Sequence, residues 1–309
     1  MPVYKRSDKT MKIITHKACP LCNSNNITKK CTCKDHFATG ESFDIFRCDD
    51  CGFTFTQGIP DEKEIGHYYE SSDYISHSNT NKGLTNKLYH IARNFMLMRK
   101  VSLVKKLTLL RHGKLLDYGA GIGHFARAIQ RQGWDITAIE KNEKARAHSK
   151  EVFNFEILPE ESFKELEPQS YDVITLWHVM EHLQNLDDFW EQAKKLLDES
   201  GIMIVAVPNC ASYDAENYGE HWAAYDVPRH LWHFTSSTML RLGDKHGFIL
   251  ERRYPMPLDS FYISILSERY KNSKIPFIKG MWNGFLGWIA TLDKCSAASS
   301  IIYVFRKKR

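Results

Sequence analysis

The sequence predicts an α/β fold, a mainly parallel sheet flanked by helices, with a small cysteine-bearing module ahead of it. Three observations carry this reading. Residues 114–140, KLLDYGAGIGHFARAIQRQGWDITAIE, follow the pattern of strand, glycine-rich turn, amphipathic helix and second strand. Apolar runs at 171–177, 202–207, 248–254 and 300–305 then alternate with helix-like segments, the order expected of crossover connections between parallel strands. Finally, two Cys-x-x-Cys pairs, Cys19/Cys22 and Cys48/Cys51, stand 25 residues apart.

In the first of these stretches, Leu115 and Leu116 open a short strand and Asp117 closes it. Gly119, Gly121 and Gly123 allow a sharp turn that lies close to a ligand. Phe125, Ala126, Ala128 and Ile129 form the apolar face of the helix, Gly133 ends it, and Ile136, Ala138 and Ile139 lead to Glu140. An acid about twenty residues beyond the first glycine sits where a nucleotide ribose is bound. The spacing is G-x-G-x-G rather than the dinucleotide G-x-G-x-x-G, and Asp117 directly before it would repel a pyrophosphate and suit an amine-bearing ligand. The alternative is an ordinary tight turn between strand and helix.

The D-x-G-x-G-x-G pattern with its following Glu resembles the cofactor motif of class I S-adenosylmethionine (SAM) dependent methyltransferases. The resemblance implies a Rossmann-like, seven-stranded sheet whose last strand, at 300–305, inserts antiparallel. It also implies a cofactor site of Asp117, Gly119, Ala120, Gly121, Gly123, His124, Phe125, Glu140, Lys141, Ser162, Trp177 and His178. In it Asp117 and the glycine turn hold the methionine end, Glu140 the ribose, the loop around Ser162 the adenine, and Trp177 and His178 the reaction side. Tyr171 to Leu183, YDVITLWHVMEHL, resembles a later motif of small-molecule methyltransferases ending in Glu-His. In ubiquinone-biosynthesis O-methyltransferases acidic and histidine side chains of this region are associated with a divalent metal, and here only Glu181 and His182 match; the alternative is that they orient the following helix. The strand end lacks the acid or Asn with Pro-Pro-aromatic of base-methylating enzymes, which argues against a DNA adenine methylase.

The two Cys-x-x-Cys turns can close a tetrahedral thiolate site, and with Phe43, Ile45, Phe46, Phe53 and Phe55 as flanking strands they resemble a zinc ribbon with Cys19, Cys22, Cys48 and Cys51 as ligands. A site with four thiolates leaves no open position, so zinc here is structural. Cys31, Cys33 and His36, on the connecting loop, are read as packing residues. Residues 1–60 form the ribbon, 61–112 a helical linker or lid with Tyr68, Tyr69, Tyr74 and His77, and 113–309 the SAM-binding domain with an insertion at 255–299. A lid is plausible chemistry because aromatic faces attract a sulfonium cation; packing against the sheet is the rival.

The loop EHWAAYDVPRHLWHFT, residues 220–235, holds three histidines, two tryptophans, Tyr225 and Arg229. A methyl donor already carries the electrophile, so the protein must align the acceptor and remove a proton where the acceptor is a hydroxyl or carbon acid. Histidine suits the second duty. P-R-H-L-x-x-F resembles a motif of small-molecule and sugar methyltransferases, which puts His230 first as base, Tyr225 and Arg229 at the substrate and His178 at the reaction side; His221 and His233 are rivals. Within the insertion, IPFIKGMWNGFLGWIATL, residues 275–292, lacks an acid and is too broken by glycine for a membrane span. It reads as a packed hairpin or pocket wall, with a lipid-facing or dimer-forming surface as the alternative.

Net charge is +5, but residues 61–254 carry 24 basic and 28 acidic side chains. Such a core lacks the basic stripe of a duplex-binding face. The start of the chain has no signal-peptide core, and the paired cysteines suit a reducing cytoplasm. These readings converge on a SAM-dependent methyltransferase acting on oxygen or carbon of a small molecule, with a sugar or nucleotide-sugar as the narrower expectation. An RNA methyltransferase that grips its substrate with the ribbon, and a non-catalytic SAM-binding module, are the other classes. An oligomer is possible.

Overall fold

The computed structural model describes residues 13–62, 64–69 and 84–308, with the side chains of 84–93 excepted. Tyr74 and His77 therefore lie outside the described residues.

A six-stranded sheet forms the centre, built from β6 (Lys114–Tyr118), β7 (Asp135–Ile139), β8 (Tyr171–Trp177), β9 (Leu197–Pro208), β11 (Phe248–Pro255) and β12 (Ser300–Lys307). Its order is β11-β12-β9-β8-β6-β7. Five strands share one direction, and β12 inserts antiparallel between β9 and β11. Burial on both faces explains the near-continuous apolar runs: Ile202 to Val207 is buried throughout. Beyond β7 the sheet continues only as one parallel bridge, Ile139 to Leu158. Pro159, which has no N–H to donate, follows at once and leads into a single turn at Glu160–Lys164, so the seventh strand does not extend.

Helices α2 (His124–Gln130), α3 (Glu143–Phe153), α4 (Leu186–Leu196) and α6 (Ser236–Lys245) make the crossovers. Their starts are capped as their sequences suggest. Asn142 accepts from Ala145 N–H, Asn185 from Asp188 N–H, and Thr235 and Thr238 form a capping box. Ahead of the sheet, α1 (Leu84–Thr108) packs Val101 and Val104 onto a cluster with Leu115, Phe125 and Ile129.

The cysteine module is not freestanding. Strands β2 (Ile27–Lys34), β3 (Ser42–Cys48) and β4 (Thr54–Gln57) form an antiparallel sheet whose fourth member, β10 (Trp232–His233), comes from the far end of the chain. Phe53 and Phe55, both fully buried, join the same apolar cluster as Trp232, Phe234 and the central sheet. The insertion forms an antiparallel hairpin of α7 (Asp259–Tyr270) and α8 (Pro276–Asp293), with α5 (Tyr213–Tyr218) packed beside it. Among the described residues no helix is long and apolar enough to cross a membrane.

Candidate active site

The glycine turn lies at the carboxyl ends of the parallel strands, where open α/β sheets take their ligands. The N–H groups of Gly119 and Ala120 donate to the Ile139 carbonyl at 2.8 and 2.9 Å, which pins the turn to the end of β7. Gly119 has φ +75° and faces Val179 so closely that a Cβ would come within 2.4 Å of it. Gly121, at φ +57°, has no atom of the described residues, its chain neighbours apart, within 4 Å of where a Cβ would stand, and this open side is where a ligand can lie against bare backbone. Glu140 accepts from Gly121 N–H at 2.8 Å and from Asn142 N–H at 2.9 Å, so the acid is held over the turn.

Asp117 is buried and accepts from Thr175 Oγ1 at 2.7 Å. Burial pushes its carboxyl up to about 7 against the pull of Thr175 and Lys100. Lys100, on α1, places its ammonium 4.4 Å from the centre of the Trp177 ring. Burial lowers its pKa while Asp117 and Asp259 act to raise it. Phe125 packs edge-on against Trp177 and His124 lies beside Phe153, so these two contribute backbone rather than open side-chain surface to the turn. Lys141 is ion-paired with Glu62 and lies 3.5 Å from Glu160. Ser162 is half-buried in the turn after Pro159.

Beyond Trp177 the chain passes through His178 at φ +59° and reaches Glu181 and His182 in one helical turn. His178 bridges two acids, with Nδ1 3.4 Å from Glu181 and Nε2 3.3 Å from Asp259 at the start of α7. Burial would lower its pKa, but the two carboxylates outweigh it and raise it to about 9. It is therefore a cation at neutral pH. Glu181 is wholly buried, and neither of its oxygens accepts a hydrogen bond from the described residues. Burial alone would raise its pKa; His178 reverses this and holds the acid below its usual range.

Glu181, His182 and His230 bring one ligand-type atom each to within 4.8 Å of one another. His230 Nδ1 lies 2.8 Å from the Ala224 carbonyl. Because a carbonyl only accepts, Nδ1 carries a proton, and Nε2 is turned the other way, 3.9 Å from Oδ2 of Asp226. His182 is fixed likewise, with Nδ1 3.0 Å from the Arg229 carbonyl and 3.1 Å from the Tyr69 hydroxyl. Burial and the neighbouring His230 push its pKa down to about 4, so it is neutral.

The rivals to His230 lie elsewhere. His221 is half-buried beside Glu220, and His233 is buried against Thr56, its pKa well below the ordinary value through desolvation. Tyr225 is 3% exposed and packs against Trp222 and His233. Arg229 is occupied internally: it holds Asp226 through two nitrogens, Asp35 at 3.0 Å and the Tyr68 carbonyl at 2.8 Å. These placements give Tyr225 and Arg229 the job of joining the loop to the cysteine module. Asp259, Lys100 and Asp35 carry no local sequence signal; each acquires its role through contacts more than fifty residues away in sequence.

In the module, Cys19 and Cys51 place their sulfurs 3.5 Å apart and Cys22 and Cys48 3.6 Å, with all four within 4.8 Å. A tetrahedron of about 2.3 Å metal–sulfur bonds has edges of about 3.8 Å, so the set fits zinc. Cys31 and Cys33 lie 3.8 Å apart on β2 and His36 stacks on Tyr270, outside that set.

An open α/β sheet with this strand order, a glycine turn open at Gly121 and an acid held over it define the class as a nucleoside-cofactor-binding transferase. Residues 90–252, more than half of the chain, match the family described as Methyltransferase domain, and the chain belongs to it: it is a SAM-dependent methyltransferase. It is similar to the ubiquinone biosynthesis O-methyltransferase of Pelagibacter ubique, 26% identical over 175 residues that cover 52% of this chain and 70% of that protein. The corresponding protein of Rickettsia bellii is 29% identical over 150 residues, 45% of this chain and 61% of its own length. Phosphoethanolamine N-methyltransferase 2 of Haemonchus contortus, solved with S-adenosyl-L-methionine, shares the fold at 16% identity and TM-score 0.51, covering 83% of this chain and 63% of that one.

Proposed function

We propose that the protein methylates oxygen or carbon of a small-molecule acceptor, with His230 as the base. The observation that carries this is the placement of His230, whose Nδ1 is fixed on the Ala224 carbonyl and whose Nε2 lies 3.9 Å from Asp226, beside the buried carboxylate of Glu181. Bound SAM supplies a methyl group already activated on a sulfonium. Asp117 and the Gly119–Gly123 turn would hold its methionine end, Glu140 the ribose, and Trp177 and Lys100 would border the methyl. His230 would take the proton from the acceptor as the methyl passes to it and the methyl–sulfur bond breaks, leaving the neutral thioether, and Glu181 would stabilise the imidazolium so formed. His178, held as a cation, keeps Glu181 ionised. Helix α1, whose Lys100 reaches Trp177, acts as a lid. The names of the two curated relatives favour oxygen as the acceptor atom, and a sugar or nucleotide-sugar is a narrower version of the same reading.

A second reading of the cluster has one specific support, the convergence of Glu181, His182 and His230 on one point. The donor set suits a divalent metal, and both histidines already have Nδ1 turned to a carbonyl, as ligating histidines do. Zinc in the Cys19, Cys22, Cys48 and Cys51 site would be structural. The unbridged cysteines suit a reducing, cytoplasmic setting. The experiment is incubation with SAM and a panel of hydroxylated aromatics, nucleotide-sugars and RNA, read by mass spectrometry. Methylated RNA as the only product would overturn the small-molecule assignment.

A further inference from the structure

Helix α8 has two faces of opposite character. Gly280, Gly284, Gly287 and Thr291 are buried, and a Cβ at Gly280 or Gly284 would come within 2.5 or 2.6 Å of the backbone of Ile265 or Phe261 on α7. The helix is thereby locked in rotation. Its other face shows Phe277 at 64%, Ile278 at 64%, Trp282 at 61% and Leu292 at 71% exposure, with Met281 and Ile289 also exposed. At 3.6 residues per turn these six fall within an arc of about 140°. A soluble surface rarely shows so much contiguous apolar area without an occupant.

The charges around this face select the occupant. Lys271 and Lys274 precede the helix, Lys279 lies in its first turns and Lys294 follows it, all exposed, while the helix's one acid is its last residue, Asp293, also exposed. A cleft of about 440 Å³ opens beside the stripe, lined by Lys271, Lys279, Trp282 and Asn283. Its one acid, Glu268, is buried and bonded to Tyr218 and Asn283. An isologous pairing of two copies through the stripe would bring these lysines together with little acid to meet them. An anionic bilayer meets both needs, with acyl chains against the aromatic stripe and phosphates at the lysines.

We infer that the α7–α8 hairpin is a peripheral docking surface for an anionic phospholipid membrane, with α8 lying in the plane of the interface. Apart from Asp259 at the start of α7, the hairpin residues used here are not among those of the candidate site, so the surface and the active site can be tested separately. The test is flotation of the full chain with vesicles of phosphatidylcholine alone and of phosphatidylcholine with about a third phosphatidylglycerol. The expected result is capture by the second and not the first, weakening with salt. The double variant Phe277→Glu/Ile278→Glu should reduce the bound fraction roughly tenfold, as should Lys271→Gln/Lys279→Gln, with SAM affinity unchanged as the control for folding. No capture by phosphatidylglycerol vesicles, or capture untouched by both variants, overturns the inference. So does sedimentation of a dimer that the Phe277→Glu/Ile278→Glu variant splits, which would assign the stripe to a second copy.

Discussion

The Thr56 hydroxyl donates to the carbonyl of His230 at 2.8 Å across 174 residues of sequence. The same oxygen lies 3.0 Å from Nε2 of His233, and Thr56 N–H donates to the Leu231 carbonyl at 2.9 Å. The residue offered as base is therefore held from outside the cofactor core, by a strand of the cysteine module.

Thr56→Val keeps the shape of this fully buried side chain and leaves the His230 carbonyl without its donor. The loss should be about 1–3 kcal/mol of folding stability, with turnover lowered roughly tenfold by misplacement of the imidazole. Thermal unfolding and initial rates measure the two. Unchanged turnover would detach the module from catalysis.

Loss of the zinc proposed for the four thiolates should act through the same contact. Cys48→Ser or prolonged chelation is expected to lower the zinc content and depress methyl transfer while SAM still binds, since the glycine turn belongs to the other sheet. Metal analysis and calorimetry report these separately; a folded, fully active protein without zinc contradicts the ribbon.

Base and cofactor residues should separate kinetically. His230→Ala is expected to retain SAM affinity and slow transfer by about 10²–10⁴-fold. Glu140→Ala should weaken SAM, because it leaves Gly121 N–H without its acceptor and removes the acid from the ribose position. Affinity lost in the first variant, or retained in the second, would reverse the assignments.

Asp117 gives a pH prediction with a defined sign. Burial raises its pKa from 3.8 to about 7 in the cofactor-free protein. A raised folded pKa means its contribution to stability is complete below the unfolded value and is lost as pH rises through about 7. Pairing with the ammonium of SAM requires the carboxylate, so binding should tighten as pH rises toward 7 and release a proton. Calorimetry in buffers of different ionisation enthalpy near neutrality measures that release. Its absence would mean Asp117 does not meet a cation.

What could be read from the sequence was what short-range chemistry decides. Positive φ at Gly119 and Gly121, an acid ending the next strand, apolar runs for a buried parallel sheet and thiol pairs in tight turns are all set within a few residues of chain. Where a proton sits or a charge is paired is not local. His178 and His230 look alike in sequence, yet Asp259 and Glu181 hold the first as a cation, while the Ala224 carbonyl fixes Nδ1 of the second and turns Nε2 toward Asp226. Arg229 looked like a substrate contact until Asp35 and the Tyr68 carbonyl claimed its guanidinium. Likewise the glycines that break up α8 and exclude a membrane span also seat it on α7 and turn its aromatic side outward. By itself the sequence determined which cofactor the chain is built around; only packing decided how each histidine is paired, because burial and partner distance, not residue type, set a side chain's protonation and reach.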